Sequence, residues 1–209
     1  SDDSRIVVYY GQDWISPTTR VIFTLDYAGL GKVSSLLDGG MEAWVRDGHA
    51  VTEAVAAPKT GKLSALTLRP LVVDAKYVFE HLKTPHVAIV DGRSASFYDG
   101  VDTGQSHDQV HRTGHIAGAH NVPFDSIVDE HSMLRSPEEL AALFTKAGVQ
   151  PDDTVIGYCH LGQQATAMLF AARSLGHPVM LYDGSFEDWS RHADYPVDNP
   201  AAKDVKQGQ

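Results

Sequence analysis

The sequence predicts an α/β protein built on a mostly parallel sheet, and three observations carry that prediction. First, short and nearly continuous apolar runs, such as Val155-Ile156-Gly157-Tyr158, alternate with segments whose apolar residues recur at helical spacing. That alternation is the mark of strands buried on both faces and joined by crossover helices. Second, the only cysteine, Cys159, ends one of these runs and stands just before a helical pattern, which is where ligands of open parallel sheets gather. Third, the chain repeats its own order of elements. Val7 to Tyr10, a loop, a helix ending at Leu30-Gly31, then Leu37-Asp38-Gly39-Gly40 and Trp44 form one copy. Val155 to Tyr158, the cysteine loop, a helix ending at Leu175-Gly176, then Tyr182-Asp183-Gly184-Ser185 and Trp189 form the other.

The first block reads as follows. Ile6 to Tyr10 is a buried strand, and Gly11 to Pro17 is a loop. Thr18 to Leu30 carries Val21, Ile22, Leu25 and Ala28 at helical spacing, with Gly29 and Gly31 ending the helix. Ser35 to Leu37 is a short strand, Asp38-Gly39-Gly40 a turn, and Met41 to Val45 a short helix with Trp44 packed inward. From Val51 to Leu66 the chain has no clear period and is rich in Ala, Lys and Gly. Residues 54–69 are therefore read as a linker, and residues 201–209, which are polar and without an anchor, as a flexible tail.

The second block starts near Pro70. Asp74 can cap a helix from Ala75 to Lys83, and His86 to Val90 is the next strand. Asp91 to Arg112 reads as a long polar loop. Ser136-Pro137-Glu138-Glu139 is a strong helix start, with Ser136 at the N-cap, Pro137 at the first helical position and Glu139 closing a capping box. Leu140, Leu143, Phe144 and Ala147 then line one face, and Gly148 stops the helix. Val155 to Tyr158 is a strand, Ala165 to Leu175 a helix, Val179 to Tyr182 the last clear strand, and Phe186 to Trp189 a final helical turn.

Composition excludes several classes. The chain has 209 residues, 43% of them hydrophobic, and a formal net charge of −10, enough for one sizeable core and part of a second. No basic run is present, so nucleic acid and anionic membrane are poor partners. No apolar stretch is long enough to span a bilayer as a helix. A single cysteine excludes an internal disulfide and leaves the compartment open between cytoplasmic and exported. His107, His111 and His115 recur every fourth residue, but the glycines and polar residues around them read as loop, so no metal site and no cofactor are expected.

Cys159 invites a chemical reading. A thiol between a strand end and a helix start is surrounded by backbone N–H groups that have no partner within the helix, and these favour a thiolate or a bound anion. Several ordered segments then resemble the rhodanese family of sulfurtransferases, in its tandem two-domain form. They are Val90-Asp91-Gly92-Arg93, Gly114-His115-Ile116-Ala117-Gly118-Ala119-His120-Asn121-Val122-Pro123-Phe124, Ser136 to Leu140, the Cys159 loop, and Leu181 to Trp189.

The resemblance implies that residues 70–200 are a catalytic rhodanese-like domain. It implies that residues 1–53 are the C-terminal half of an inert rhodanese-like domain, whose front half, roughly a hundred residues on the usual size of a domain, would lie outside this chain. It also implies a ping-pong reaction. A sulfane sulfur from a small anionic donor such as thiosulfate passes to Cys159 as a persulfide, and cyanide or a thiol removes it. On this basis His160, Leu161, Gly162, Gln163, Gln164 and Ala165 form the substrate loop. Asp91 and Arg93 form a structural salt bridge, His115 shapes its loop, and Arg112 helps draw in an anion. Thiosulfate-specific relatives carry a basic residue where this chain has Leu161 and an arginine where it has Phe97. Mercaptopyruvate-specific relatives have small polar loop residues. A 3-mercaptopyruvate sulfurtransferase and a persulfide-carrying regulatory module remain the alternatives. A phosphatase or arsenate reductase is disfavoured because Gln163-Gln164-Ala165 supplies no arginine to clamp phosphoryl oxygens.

Overall fold

A computed structural model describes residues 1–11, 14–57, 59–103 and 112–202. The first block comprises β1 (Ile6–Val8), α1 (Ser16–Tyr27), β2 (Ser34–Leu36) and α2 (Gly40–Arg46). β1 and β2 pair in parallel, from Ile6 opposite Ser34 to Val8 opposite Leu36, and form a two-stranded sheet of their own. α1 starts earlier than the sequence pattern indicates because Pro17 sits in its first turn, where a missing N–H costs nothing. Two expectations fail here. Only Tyr10 of the Ile6 to Tyr10 run is buried, while Val7 and Tyr9 are exposed, because this narrow sheet is not covered on both faces. Trp44 is half-buried and not packed inward. Its ring lies 4.3 Å from that of His49, its indole N–H donates to the Ala50 carbonyl, and Ala43 takes the buried position.

The second block runs β3 (Val72–Val73), α3 (Ala75–His81), β4 (Val87–Asp91), α4 (Ala95–Tyr98), β5 (His115–Ile116), β6 (His120–Asn121), α5 (Pro137–Ala147), β7 (Thr154–Tyr158), α6 (Gln164–Ser174), β8 (Val179–Tyr182), α7 (Ser185–Trp189) and β9 (Val197–Asp198). Five strands form one parallel sheet in the order β3-β8-β7-β4-β6. β5 and β9 form a small antiparallel pair beside it. The central strands β4 and β7 are buried after their first residue, as apolar strands covered on both faces must be.

Both expected caps form. The Asp74 carboxylate accepts from the Tyr77 N–H at 2.8 Å. At α5 the Ser136 hydroxyl accepts from the Glu139 N–H at 3.2 Å, and Glu139 reaches back to the Ser136 N–H at 3.0 Å. The expected loop from Asp91 to Arg112 contains α4. Its histidines His107 and His111 lie outside the described residues, as does the tail from residue 203. The start of that tail is tied down, since the Ala201 N–H donates to the Asp99 carbonyl at 3.0 Å.

α6 is the centre of the packing. Ala165, Ala167, Met168, Leu169, Ala171 and Ala172 are all buried, and α1 packs against it, with Thr19 meeting Thr166 and Asp26 meeting Arg173. Gly157 in β7 serves the other side, since a Cβ there would lie 2.7 Å from Leu169 Cγ and 2.8 Å from Met168 Cε. Tyr10, Ile15 and Phe23 of the first block thus share one core with Val90, Val155 and Cys159. Asp26, buried on α1, pairs with both Arg69 and Arg173. The Tyr10 hydroxyl donates to the Ser132 carbonyl at 2.6 Å.

Candidate functional site

Cys159 follows the last residue of β7 and is 1% exposed. Its backbone is held from the β8–α7 side. The Cys159 N–H donates to the Ser185 hydroxyl at 3.1 Å, that hydroxyl donates to the Tyr182 carbonyl at 3.0 Å, and the Phe186 N–H donates to the Cys159 carbonyl at 3.0 Å. Its sulfur is met from the loop side, where the Gly162 N–H donates to Cys159 Sγ at 3.1 Å. The loop turns at Gly162, with φ +80°, and a Cβ there would lie 2.4 Å from Asp183 Oδ1. Only glycine fits that turn.

The other loop residues divide by exposure. His160 and Gln164 are half-buried, Gln163 is exposed and Ala165 is buried, while Leu161 is 71% exposed at the tip. The Gln164 side-chain oxygen is buried and has no hydrogen-bond partner among the described residues. The Thr166 hydroxyl donates to the Gln163 carbonyl at 2.7 Å and closes the first turn of α6. Phe97, on α4, reaches the loop. Its ring stands edge-on to His160 with centroids 4.5 Å apart.

Asp91 and Arg93 form a buried pair behind the loop, 0% and 3% exposed. Asp91 accepts from the Arg93 backbone N–H at 2.9 Å and from Nη2 at 2.6 Å, and Nη2 also donates to the Gly114 carbonyl at 2.7 Å. The guanidinium lies 4.3 Å from the centroid of Phe186. Burial pushes the Arg93 guanidinium down, but the Asp91 charge and its hydrogen bonds outweigh that and hold it above its usual value. Tyr158 is pushed well up by burial and then by Asp91, and its hydroxyl accepts from the Ile116 N–H at 3.1 Å. Burial, followed by Asp91, raises Tyr98 to about 12. His115 is buried, with Nδ1 2.7 Å from the Tyr98 carbonyl and its ring stacked on Tyr98 at 3.6 Å.

Arg112 departs from expectation. Its Nε donates to Ser190 O at 3.2 Å, Nη1 to Tyr195 O at 2.6 Å, and Nη2 to Trp189 O and His192 O at 3.1 and 2.6 Å. A guanidinium spent on four carbonyls fastens the segment after α7 and is not available to draw in an anion.

Three contributors were missed by sequence reasoning. Arg20 on α1 donates to the Gly162 carbonyl at 3.2 Å and to Asp183 at 2.5 Å. Ser185, which the sequence shows only as part of the repeated Tyr182 to Ser185 segment, holds the Cys159 N–H. Gly92 lets β4 approach α6, since its Cβ would lie 3.2 Å from the Ala165 Cα. For Arg20 the sequence holds no signal. A clustering of metal-ligating side chains does occur, in His86, Asp152 and Asp153, whose ligand atoms lie within 4.8 Å of one another. These residues precede β4 and β7, at the end of the sheet opposite Cys159.

The family profile "Rhodanese-like domain" matches residues 74–192. The chain is 33% identical over 195 residues to a thiosulfate sulfurtransferase of Rattus norvegicus, covering 92% of this chain and 65% of that protein. It is 32% identical over 199 residues to a 3-mercaptopyruvate sulfurtransferase of Escherichia coli (strain K12), covering 95% and 69%. The chain thus spans 65% of the length of the mammalian relatives it matches. Its fold is similar to that of an anaerobic ergothioneine biosynthesis enzyme from Chlorobium limicola. The TM-score is 0.77 at 23% identity, over 93% of this chain and 51% of that one. At that identity the likeness concerns the fold alone.

Proposed function

This chain belongs to the rhodanese family, and we propose that it is a sulfurtransferase whose sulfur carrier is Cys159. The observation that most supports this reading is the Gly162 N–H aimed at Cys159 Sγ from 3.1 Å. A preset donor on this sulfur stabilises the negative charge that it holds as the attacking thiolate and regains as the leaving group. In the forward half-reaction the thiolate attacks the outer sulfur of thiosulfate. A sulfur–sulfur bond forms to Cys159, the bond to the sulfonate group breaks, and sulfite leaves with the electron pair. In the second half-reaction cyanide or a thiolate attacks the outer sulfur of the persulfide, and the Cys159 thiolate leaves.

Residues 70–200 carry this chemistry in our reading, and residues 1–53 are inert. The pairing of β1 with β2 alone supports that division. The loop from His160 to Ala165 cradles the outer sulfur, and Phe97 and Leu161 form the rim across which the donor enters. Asp91, Arg93 and His115 hold the strand ends behind the loop. A 3-mercaptopyruvate donor is the second reading, favoured by the similarity to the Escherichia coli protein. Among the described residues no helix is long and apolar enough to cross a membrane.

The test is direct. Incubation with thiosulfate gives a mass gain of one sulfur atom on the protein, which dithiothreitol reverses. Cys159→Ser keeps the fold and forms no thiocyanate from cyanide. Thiocyanate production by that variant refutes the assignment. A comparison of kcat/KM for thiosulfate, 3-mercaptopyruvate and glutathione persulfide identifies the donor.

A further inference from the structure

We propose that Arg20, carried by α1 of the first block, is a positioning residue for the Cys159 loop. The proposal rests on the reading of Cys159 as the sulfur carrier. Its geometry is a chain of contacts between the two blocks. Arg20 grips Asp183 with both nitrogens, Nη1 to Oδ1 at 2.5 Å and Nη2 to Oδ2 at 3.3 Å, and Nη1 also donates to the Gly162 carbonyl at 3.2 Å. Asp183 in turn fills the space beside Gly162 where a Cβ would be. The residue so gripped is the one whose N–H meets Cys159 Sγ at 3.1 Å.

The peptide geometry makes the grip directional. Gly162 holds one group on each side, its N–H on the sulfur and its carbonyl on Arg20. A planar trans peptide points its C=O and N–H in opposite directions. Fixing the Gly162 carbonyl on the guanidinium therefore fixes the plane of the Gly162–Gln163 peptide and the direction of the Gln163 N–H. A glycine at φ +80° has wide backbone freedom, and Arg20 removes it. At the preceding residue of α1, the Thr19 hydroxyl lies 3.0 Å from the Thr166 hydroxyl, and Thr166 donates to the Gln163 carbonyl at 2.7 Å. Successive carbonyls of the loop, Gly162 and Gln163, are thus tied to α1, the first directly and the second through Thr166. The first block supplies no reacting atom in this scheme. It sets the shape of the loop that does the work.

The experiment uses the full chain with Arg20→Met, which keeps the apolar stem, and Arg20→Lys, which keeps the charge. Amide hydrogen exchange is followed at Gly162 and, as a control, at Ile156 in the middle of β7. In Arg20→Met the Gly162 amide is expected to exchange on the order of tenfold faster while Ile156 is unchanged. kcat for sulfur transfer falls on the order of tenfold, as a misplaced catalytic group requires, with KM changed less than about twofold because Arg20 touches no substrate. Arg20→Lys restores part of both losses. Unchanged Gly162 exchange overturns the proposal, and so does an equal rise at Gly162 and Ile156, which means general loosening. A kcat unaffected by Arg20→Met overturns it as well. If the unmodified protein takes up no sulfur while Gly162 exchange responds as stated, the sulfur-carrier reading fails and the positioning of the loop by Arg20 stands.

Discussion

Replacing Asp91 by alanine removes the carboxylate from the most deeply buried ion pair described in the protein. Asp91 is 0% exposed and Arg93 is 3% exposed, so water does not replace what is lost. The guanidinium would keep the Gly114 carbonyl and the rings of Phe186 and Tyr158, none of which carries a compensating charge. A buried charge left without its partner costs about 3–5 kcal/mol. For a chain of this size each kcal/mol moves the melting point by roughly 2–4 °C, so Asp91→Ala melts about 6–20 °C lower. Urea unfolding followed by tryptophan fluorescence measures the free energy directly. The double variant Asp91→Leu with Arg93→Met tests the cause, because it removes the stranded charge along with the pair and should recover a large part of the loss. A loss under about 1 kcal/mol in Asp91→Ala refutes the reasoning. So does a double variant no more stable than the single one. Since Arg93 packs on Phe186, and the Phe186 N–H holds the Cys159 carbonyl, activity should fall no later in urea than the fluorescence signal.

Three smaller perturbations follow from the same structure. Ser136→Ala removes the hydroxyl half of the α5 capping box and is expected to cost about 0.5–2 kcal/mol in urea unfolding; no loss would mean that the helix start is held elsewhere. Glu139 is held below the ordinary glutamate value by the Ser136 backbone N–H and then by its hydroxyl. Its contribution is thus fully present above its unfolded-state value and is lost as the pH falls through the lower folded value, so a carboxyl NMR titration midpoint at or above the ordinary value contradicts this. Leu161→Lys places a cation at a tip that is 71% exposed, where screening limits a new ion pair to about 0.5–1 kcal/mol. The KM for thiosulfate should then fall roughly two- to fivefold, with no change for an uncharged persulfide donor, and an unchanged thiosulfate KM excludes Leu161 from the donor's path.

What could be read in the sequence was what neighbouring residues decide among themselves. The Ser136–Glu139 box and the Asp74 cap close within three residues, so residue type and spacing suffice to place them. The cysteine between an apolar run and a helical pattern is local in the same sense. Trp44 shows where locality misleads. A large aromatic on a short helix invites an inward reading, but α2 has room to bury only Gly40 and Ala43, and the indole finds His49 and the Ala50 carbonyl instead. Val7 and Tyr9 fail for a related reason. An apolar strand is buried only if something covers both of its faces, and which sheet it joins is a property of the whole fold.

Arginines were the least legible residues, and their chemistry explains why. A guanidinium carries five donors on a long stem, so its role depends on which acceptors the fold brings within reach. Arg112 meets four carbonyls that lie 77 to 83 residues away in sequence, and neither residue type nor a family resemblance reveals them. Arg20 reaches Gly162 and Asp183 across 142 and 163 residues. Its position on α1 predicts only a solvated helix face. The structure turns that face toward the cysteine loop because α1 packs on α6, with the Thr19 hydroxyl 3.0 Å from that of Thr166 and Asp26 paired with Arg173. The packing of one helix on another thus brings a cation to a backbone carbonyl of the cysteine loop. That juxtaposition is a tertiary fact with a chemical consequence, and the Arg20 variants are where it can be measured.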